Sequence, residues 1–336
     1  MIKKFLTIGL CSAAFAFGAH TAAQAQDKDL SICFAYQTLE TEFWVAGHAA
    51  MTQSLDEKGI KVIEVNANED ANRQFEQIKD CITQGVDGII IIPQDGESVI
   101  KMIGEANKAG IPVAVFNRPP NPDNPNDAIV VVADNVSIAE AAVEHLTKKA
   151  RELNLDRKVQ PLIMVGALAD TNAIGRREGF NNVIKANSDL YAEPIEVPTE
   201  WDASVALANL ESALQANPDV DVIFTSSDFL FPQIRAVLSQ QGRWQPSGQE
   251  GHVILGGLDG DVTACKLIRD GYVDATGVQD LFFEADSTVE ALLKAIEEGD
   301  KTPKQQIDDK GFALTQDNEA ERHQDMWGCV LADKQG

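Results

Sequence analysis

Short, strongly apolar runs alternate along this chain with longer stretches whose apolar residues recur every three or four positions. Residues 30–36, 60–65, 86–92, 111–116 and 128–133 are rich in Ile, Val, Phe and Ala. Such runs predict strands covered on both faces. Between them, residues 43–58, 70–84 and 98–109 carry the helical period, with Phe75, Ile78 and Ile82 on one face of the second. The pattern then restarts, with strands predicted at 161–166, 220–225 and 252–258 and helices within 176–187, 204–217 and 231–241. A last long helix over 285–298 ends at Gly299. Strands separated by helices of this length imply right-handed crossovers and doubly wound parallel sheets.

The two halves parallel each other in detail. QGVDGIIIIPQD (84–95) resembles NPDVDVIFTSSD (217–228), which puts Asp87 opposite Asp221, and GIPVAVFNR (110–118) aligns with GHVILGGLDG (251–260), which puts Asn117 opposite Asp259. The expected fold is therefore α/β, two doubly wound Rossmann-like lobes facing each other across a cleft. A late helix returning to the first lobe makes the chain cross more than once, which is the make-up of a hinge. In an open parallel sheet the carboxyl ends of the strands face the ligand crevice. At one such end the run 111–116 stops at Asn117, Arg118 and two prolines, so an amide and a guanidinium offer donors suited to vicinal hydroxyls or to an anion.

Composition narrows the setting. Residues 1–25 combine two lysines, an apolar run and Ala23-Gln24-Ala25, the pattern of a secretory signal peptide cleaved before Gln26. Leu10 before Cys11 argues against lipoprotein processing, and a periplasmic location is expected. Loss of the two signal lysines takes the formal charge from -24 to -26, which repels nucleic acid and anionic lipid. The 311 remaining residues exceed one ordinary core, so two domains are expected. Cys33, Cys81, Cys265 and Cys329 allow three disulfide pairings, none fixed by sequence, and their wide spacing does not suit a metal site.

Eight motifs in one order carry a family resemblance: TLETEFW (38–44), QGVDGIIIIPQD, GIPVAVFNR, VVADN (131–135), RREGF (176–180), NPDVDVIFTSSD, GGLDG (256–260) and ATGVQD (275–280). Over about residues 30–314 the chain resembles the ribose-binding type of periplasmic sugar-binding proteins of ABC transporters, the type I periplasmic binding fold. The resemblance implies a signal peptide at 1–25, a first lobe of 26–133 plus 280–313, and a second of 134–279 plus 314–336. It implies a ligand site at Phe43 and Trp44, Trp201, the Asn117-Arg118 pair, Asp259 and the hinge-side Gln279. Aromatic faces on both sides of a slot would sandwich a sugar's C–H faces.

Several positions depart from the family pattern. Asn117 stands where the family has aspartate, and a neutral amide accepts less strongly from hydroxyls than a carboxylate does. The family's ligand-facing arginine falls on Ile174 and its second arginine on Arg176, with Asn172 as the polar substitute. Ser227 replaces a binding asparagine, and Thr41 another, with Gln37 and Glu40 as further polar candidates.

The function expected is capture of a small neutral sugar or sugar alcohol, without catalysis or cofactor, for delivery to an inner-membrane permease that the resemblance implies. The protein is expected to be a monomer with no nucleic-acid partner and micromolar affinity, about -8 kcal/mol. The alternative is a periplasmic receptor presenting a sugar-like signal to a membrane sensor or chemoreceptor. A hydrolase is disfavoured because no G-x-S-x-G, H-E-x-x-H or glycine-rich phosphate loop is present. The 315–336 tail, with Trp327 and Cys329, extends past the family's usual end and is expected to pack or bridge onto the second lobe.

Overall fold

The computed structural model describes residues 30–335, so the expected leader at 1–25 lies outside the described residues. The first half runs β1 (Ser31–Tyr36), α1 (Glu42–Glu57), β2 (Lys61–Asn66), α2 (Ala71–Gln84), β3 (Gly88–Ile91), α3 (Ser98–Ala109), β4 (Val113–Phe116) and β5 (Ile129–Ala133). The second runs α4 (Asn135–Glu152), β6 (Gln160–Val165), α5 (Thr171–Ala186), β7 (Ile195–Pro198), α6 (Ala203–Ala216), β8 (Val220–Thr225), α7 (Phe231–Gln240), β9 (Ile254–Asp259), α8 (Val262–Arg269) and β10 (Ala275–Val278). Then come α9 (Leu281–Glu298), β11 (Gln305–Asp309), β12 (Phe312–Thr315), α10 (Glu319–Arg322) and α11 (Trp327–Gln335).

Two six-stranded sheets result, ordered β11-β5-β4-β3-β1-β2 and β12-β10-β9-β8-β6-β7. Every pairing is parallel except that of β12 with β10. Helices cover both faces of each sheet, which is why β3 and β4 are buried along their whole length. The predicted strands and helices recur within a few residues. Elements not predicted include α4, β7, β11 and β12. The apolar face of α4 is largely Ala139, Ala142 and Ala150, which contrast weakly with polar neighbours. β7, β11 and β12 are edge strands paired on one side only, and a mostly exposed run such as QQIDD needs no apolar stretch.

The internal duplication extends to hydrogen bonding. Asp87 accepts from Ser31 N at the start of β1 (3.0 Å), and Asp221 accepts from Gln160 N at the start of β6 (2.8 Å). Aspartates also cap the helices: Asp70, Asp134, Asp170, Asp202, Asp261 and Asp280 each accept backbone N–H groups at the N-terminus of α2, α4, α5, α6, α8 and α9. Each such cap stabilises by about 1 kcal/mol, and part of the chain's acidic excess is therefore structural.

The chain passes between the sheets at 133–135, 278–281 and 309–312. One residue ties all three passages together. The Asp309 carboxylate accepts from Asp280 N (2.7 Å) and Gly311 N (2.8 Å), while its carbonyl accepts from Asp134 N (2.8 Å). Of the three possible disulfide pairings, the one formed joins Cys33 to Cys81 and Cys265 to Cys329. The first bridge, between β1 and α2, spans 48 residues. Replacing Cys33 and Cys81 together by Ser should lower the unfolding free energy by roughly 2–5 kcal/mol, because the unfolded chain regains the entropy of that loop. Guanidinium denaturation measures it, and an unchanged midpoint would mean that this bridge adds no stability.

Candidate functional site

β4 and β9 hold corresponding interior places in the two sheets, and each ends in a residue with positive φ: Asn117 at 65° and Asp259 at 129°. Such backbone costs of order 1–3 kcal/mol per non-glycine residue and persists only where the surroundings fix it. Here they do. Asn117 N donates to Val131 O (2.8 Å) and its Nδ2 to Gln279 Oε1 (2.9 Å), while Asn172 Nδ2, from the opposite lobe, donates to both its carbonyl and its Oδ1 (3.2 Å each). Asp259 accepts from Trp327 Nε1 through its carbonyl (2.9 Å), pairs with Arg176 Nη1 (2.9 Å), and accepts from the Ser227 hydroxyl. Asp259 is not the cap of the following helix. Asp261 takes that role, which leaves the Asp259 carboxylate facing the cleft.

Between these strand tips lies a cavity of about 470 Å³. Gln37, Phe43, Trp44, Asn117 and Arg118 line it from the first lobe, and Asn172, Trp201, Ser227 and Asp259 from the second. Gln279 does not line it. It is fully buried one layer below, accepting from Asn117 and donating from Nε2 to Asn135 Oδ1 (3.4 Å), so it supports the site without reaching it.

Arg118 is more committed to the protein than its sequence context suggests. Nη1 donates to Gln37 Oε1 (2.6 Å) and to the carbonyls of Pro93 and Gln94, and Nε lies 3.0 Å from Asp170 Oδ2 across the cleft. Among the described residues Nη2 makes no hydrogen bond, and Nε has only this ion pair. Ile174, on which the family's ligand-facing arginine falls, is 47% exposed and does not line the cavity, whereas Asn172 and Arg176 do. Arg176 Nε donates to Asn135 Oδ1 (2.7 Å) and Nη1 to Ser226 O (2.6 Å), which again leaves Nη2 uncommitted. Each guanidinium stands near an indole, Arg118 at 5.7 Å from the Trp44 ring centre and Arg176 at 5.8 Å from that of Trp201.

Trp201 is set by local backbone. It and Glu200 both have positive φ (57° and 52°), which turns the indole onto Gly166, where a Cβ would collide with it. Its Nε1 donates to Asp170 Oδ2 (3.2 Å). Asp170 therefore holds Trp201, Arg118 and, through Asn172 N (3.0 Å), the start of α5. Sequence analysis did not single out Asp170, and nothing local reveals its Trp201 and Arg118 partners. Phe43 and Trp44 meet edge to face at 4.9 Å.

The cavity lining includes Glu69, Asp95, Asp170, Glu200, Asp202, Asp259 and Asp261 against two arginines, and it holds no histidine, lysine or cysteine. An anion would enter this field at a cost, whereas a neutral polyol would not. Behind the cavity lie deeply buried acids. Burial, then the neighbouring Asp259, pushes Asp228 up to about 7, although it accepts from Thr276 Oγ1, Gly260 N and Asp261 N. Burial, then Asp228, pushes Asp261 well above the ordinary carboxylate range. Glu284 on α9 is likewise pushed well up by burial and then by Asp309.

A family described as periplasmic binding protein domain matches residues 32–301. A D-xylose-binding periplasmic protein of Haemophilus influenzae is 29% identical over 277 residues, covering 81% of this chain and 79% of its own. A ribose import binding protein of Bacillus subtilis is 26% identical over 252 residues, 75% and 77% of the two chains. Among solved structures, an ABC transporter periplasmic solute binding protein of Actinobacillus succinogenes with bound D-allose superposes with a TM-score of 0.78 at 19% identity, over 87% of this chain and 99% of that one. The expected fold class, two doubly wound α/β lobes of the type I periplasmic binding kind, is borne out.

The buried acids carry a pH prediction. A carboxyl raised on folding keeps its proton where the unfolded chain has lost its own, so its contribution is full below the unfolded value and is lost as pH rises through the folded one. For Asp228 that window runs from 3.8 to about 7. The melting temperature of the ligand-free protein should therefore fall between pH 5 and pH 8. Glu284→Gln, which supplies a permanently neutral group, should shrink that fall and stabilise the protein at pH 8 by roughly 1–3 kcal/mol. A variant with the parent's slope would mean that Glu284 is not protonated in the fold.

Proposed function

The chain belongs to the periplasmic binding protein family, and from that premise we propose that it is the substrate-binding component of an ABC importer, capturing a small neutral sugar or sugar alcohol between two hinged lobes and handing it to an inner-membrane permease. One observation carries this reading: Arg118 and Asp259, from different lobes, face the same cavity. Aromatic rings stand on both sides of that space, Phe43 and Trp44 on one and Trp201 on the other. The uncommitted Nη2 groups of Arg118 and Arg176 would donate to ligand oxygens. Asp259, Asn117, Gln37, Ser227 and Asn172 would accept or donate at the remaining hydroxyls, with Gln279 holding Asn117 in place from below.

The names of the relatives, import or binding proteins for ribose and xylose, support a sugar, and the acidic lining supports a neutral one. In this reading residues 26–133 plus 280–313 and residues 134–279 plus 314–336 are the two lobes, and they separate about the three tied passages to admit ligand. Residues 1–25 direct the chain to the periplasm, where it works as a monomer. A closed site leaves a buried group unpaired when one ligand hydroxyl is missing, so discrimination between epimers should be strong.

A thermal-shift screen with D-ribose, D-xylose, D-allose, myo-inositol and D-gluconate tests the proposal. At least one neutral member should raise the melting temperature and gluconate should not; a ligand at a thousand times its Kd adds about 4 kcal/mol. No shift with any neutral member overturns the sugar reading. With the responding sugar, Arg118→Ala should weaken binding by about 2–4 kcal/mol in calorimetric titration. Unchanged affinity would mean that Arg118 does not touch the ligand.

A further inference from the structure

The tail after β12 reaches both lobes at once. The Cys265–Cys329 bridge fastens α11 to α8, and Arg269 at the end of α8 pairs with Asp333 (2.6 Å) on α11 and Glu319 (2.6 Å) on α10. Met326 and Cys329 are buried in the core of the second lobe. Trp327, between them, is not. Its indole, 1% exposed, packs with the first lobe's core and meets the Phe43 ring edge to face at 6.0 Å. Its Nε1 donates to the Asp259 carbonyl (2.9 Å), and Gly328 N donates to Gly260 O (3.1 Å). The fit is close, since a Cβ on Gly328 would run into the backbone of Gly260 and Asp261.

One side chain therefore touches an aromatic wall of the cavity on the first lobe and the positive-φ residue that presents a carboxylate from the second. Trp327 does not itself line the cavity. It stands beside the passage at 278–281, since the Asp259 carbonyl that it binds also accepts from Gln279 N (3.3 Å). Because α11 is covalently held to the second lobe, a rotation of the lobes would change the spacing between the indole and Phe43.

We propose that Trp327 is a positioning residue for ligand capture: carried by the second lobe, it is gripped by the first only when the cleft is shut, where it fixes Phe43 and the Asp259 backbone and slows reopening. This rests on the sugar-receptor reading for its effect on affinity, but not for its effect on the shape of the ligand-free protein.

The experiment compares the full chain, both disulfides formed, with Trp327→Ala and Trp327→Phe. Stopped-flow release of the panel sugar that gives the largest thermal shift should be at least 30-fold faster for Trp327→Ala, with association within about threefold of the parent. Trp327→Phe keeps a ring against Phe43 but loses the N–H donated to Asp259, and should fall between the two. A double-mutant cycle with Phe43→Ala should be non-additive in Kd, which a contribution to folding alone would not produce. Small-angle scattering without sugar should give Trp327→Ala a larger radius of gyration than the parent. If no panel sugar binds the parent, the sugar reading fails while the scattering comparison still decides the role of the tail. Equal radii overturn the proposal, and so do equal release rates when a sugar binds. If Trp327→Ala does not fold, the same two readouts on Trp327→Phe decide it.

Discussion

Every polar group at the strand tips must be satisfied once the cleft shuts, and this requirement governs the site. Parallel sheets end in backbone and side-chain groups that no neighbouring strand can pair. Two such ends face each other here, and some of the pairing crosses between lobes: Asn172 to Asn117 and Arg118 to Asp170, with the Trp327 ring reaching Phe43. In the low dielectric of a closed site these bonds are strong when made and costly when broken. The cleft is therefore a set of donors and acceptors arranged to be exchanged with a polyhydroxylated guest, which is the physical content of selectivity in such a receptor.

The three passages between the sheets are joined differently. Asp309 gathers them by accepting from Asp280 N, Gly311 N and Asp134 N. Glu284, buried beside it, is pushed well up by desolvation and then by Asp309, and Asp309 is itself raised by burial, so negative charge on both is disfavoured. Asp228 and Asp259 are likewise both raised by burial, while Arg176 favours the ionised form of Asp259.

Asn117 and Asp259 were legible in the sequence because each follows an uninterrupted β-rich run, and the end of a buried strand is a local signal. The repeat of Asp87 and Asp221 was legible for the same reason, and both turn out to pin the start of a strand. Arg176 was not legible as a ligand-facing residue, because which face of α5 turns inward depends on its packing against α4, where a Cβ on Gly179 would strike Val136 and Ala139. Asp170 was not legible, since its partners Trp201 and Arg118 lie 31 and 52 residues away. The disulfides needed the topology that brings α2 onto β1 and α11 onto α8. The tail was expected on the second lobe alone, and its single tryptophan on the first is a tertiary fact without any periodic trace.

The departure at Asn117 follows from what lies beneath it. Its amide donates to Gln279, whose own amide donates to Asn135, which in turn accepts from Arg176 and donates to Asn172. A carboxylate at 117 would have no N–H to give Gln279. The neutral amide completes a chain of donors and acceptors running through Gln279, Asn135 and Arg176 to Asp259 at the cavity. The Asn172 bonds to Asn117 cross between lobes, whereas the Gln279 bond to Asn117 sits at a passage. The positive-φ backbone of Asn117 is thus held both from the opposite lobe and from the passage between the sheets.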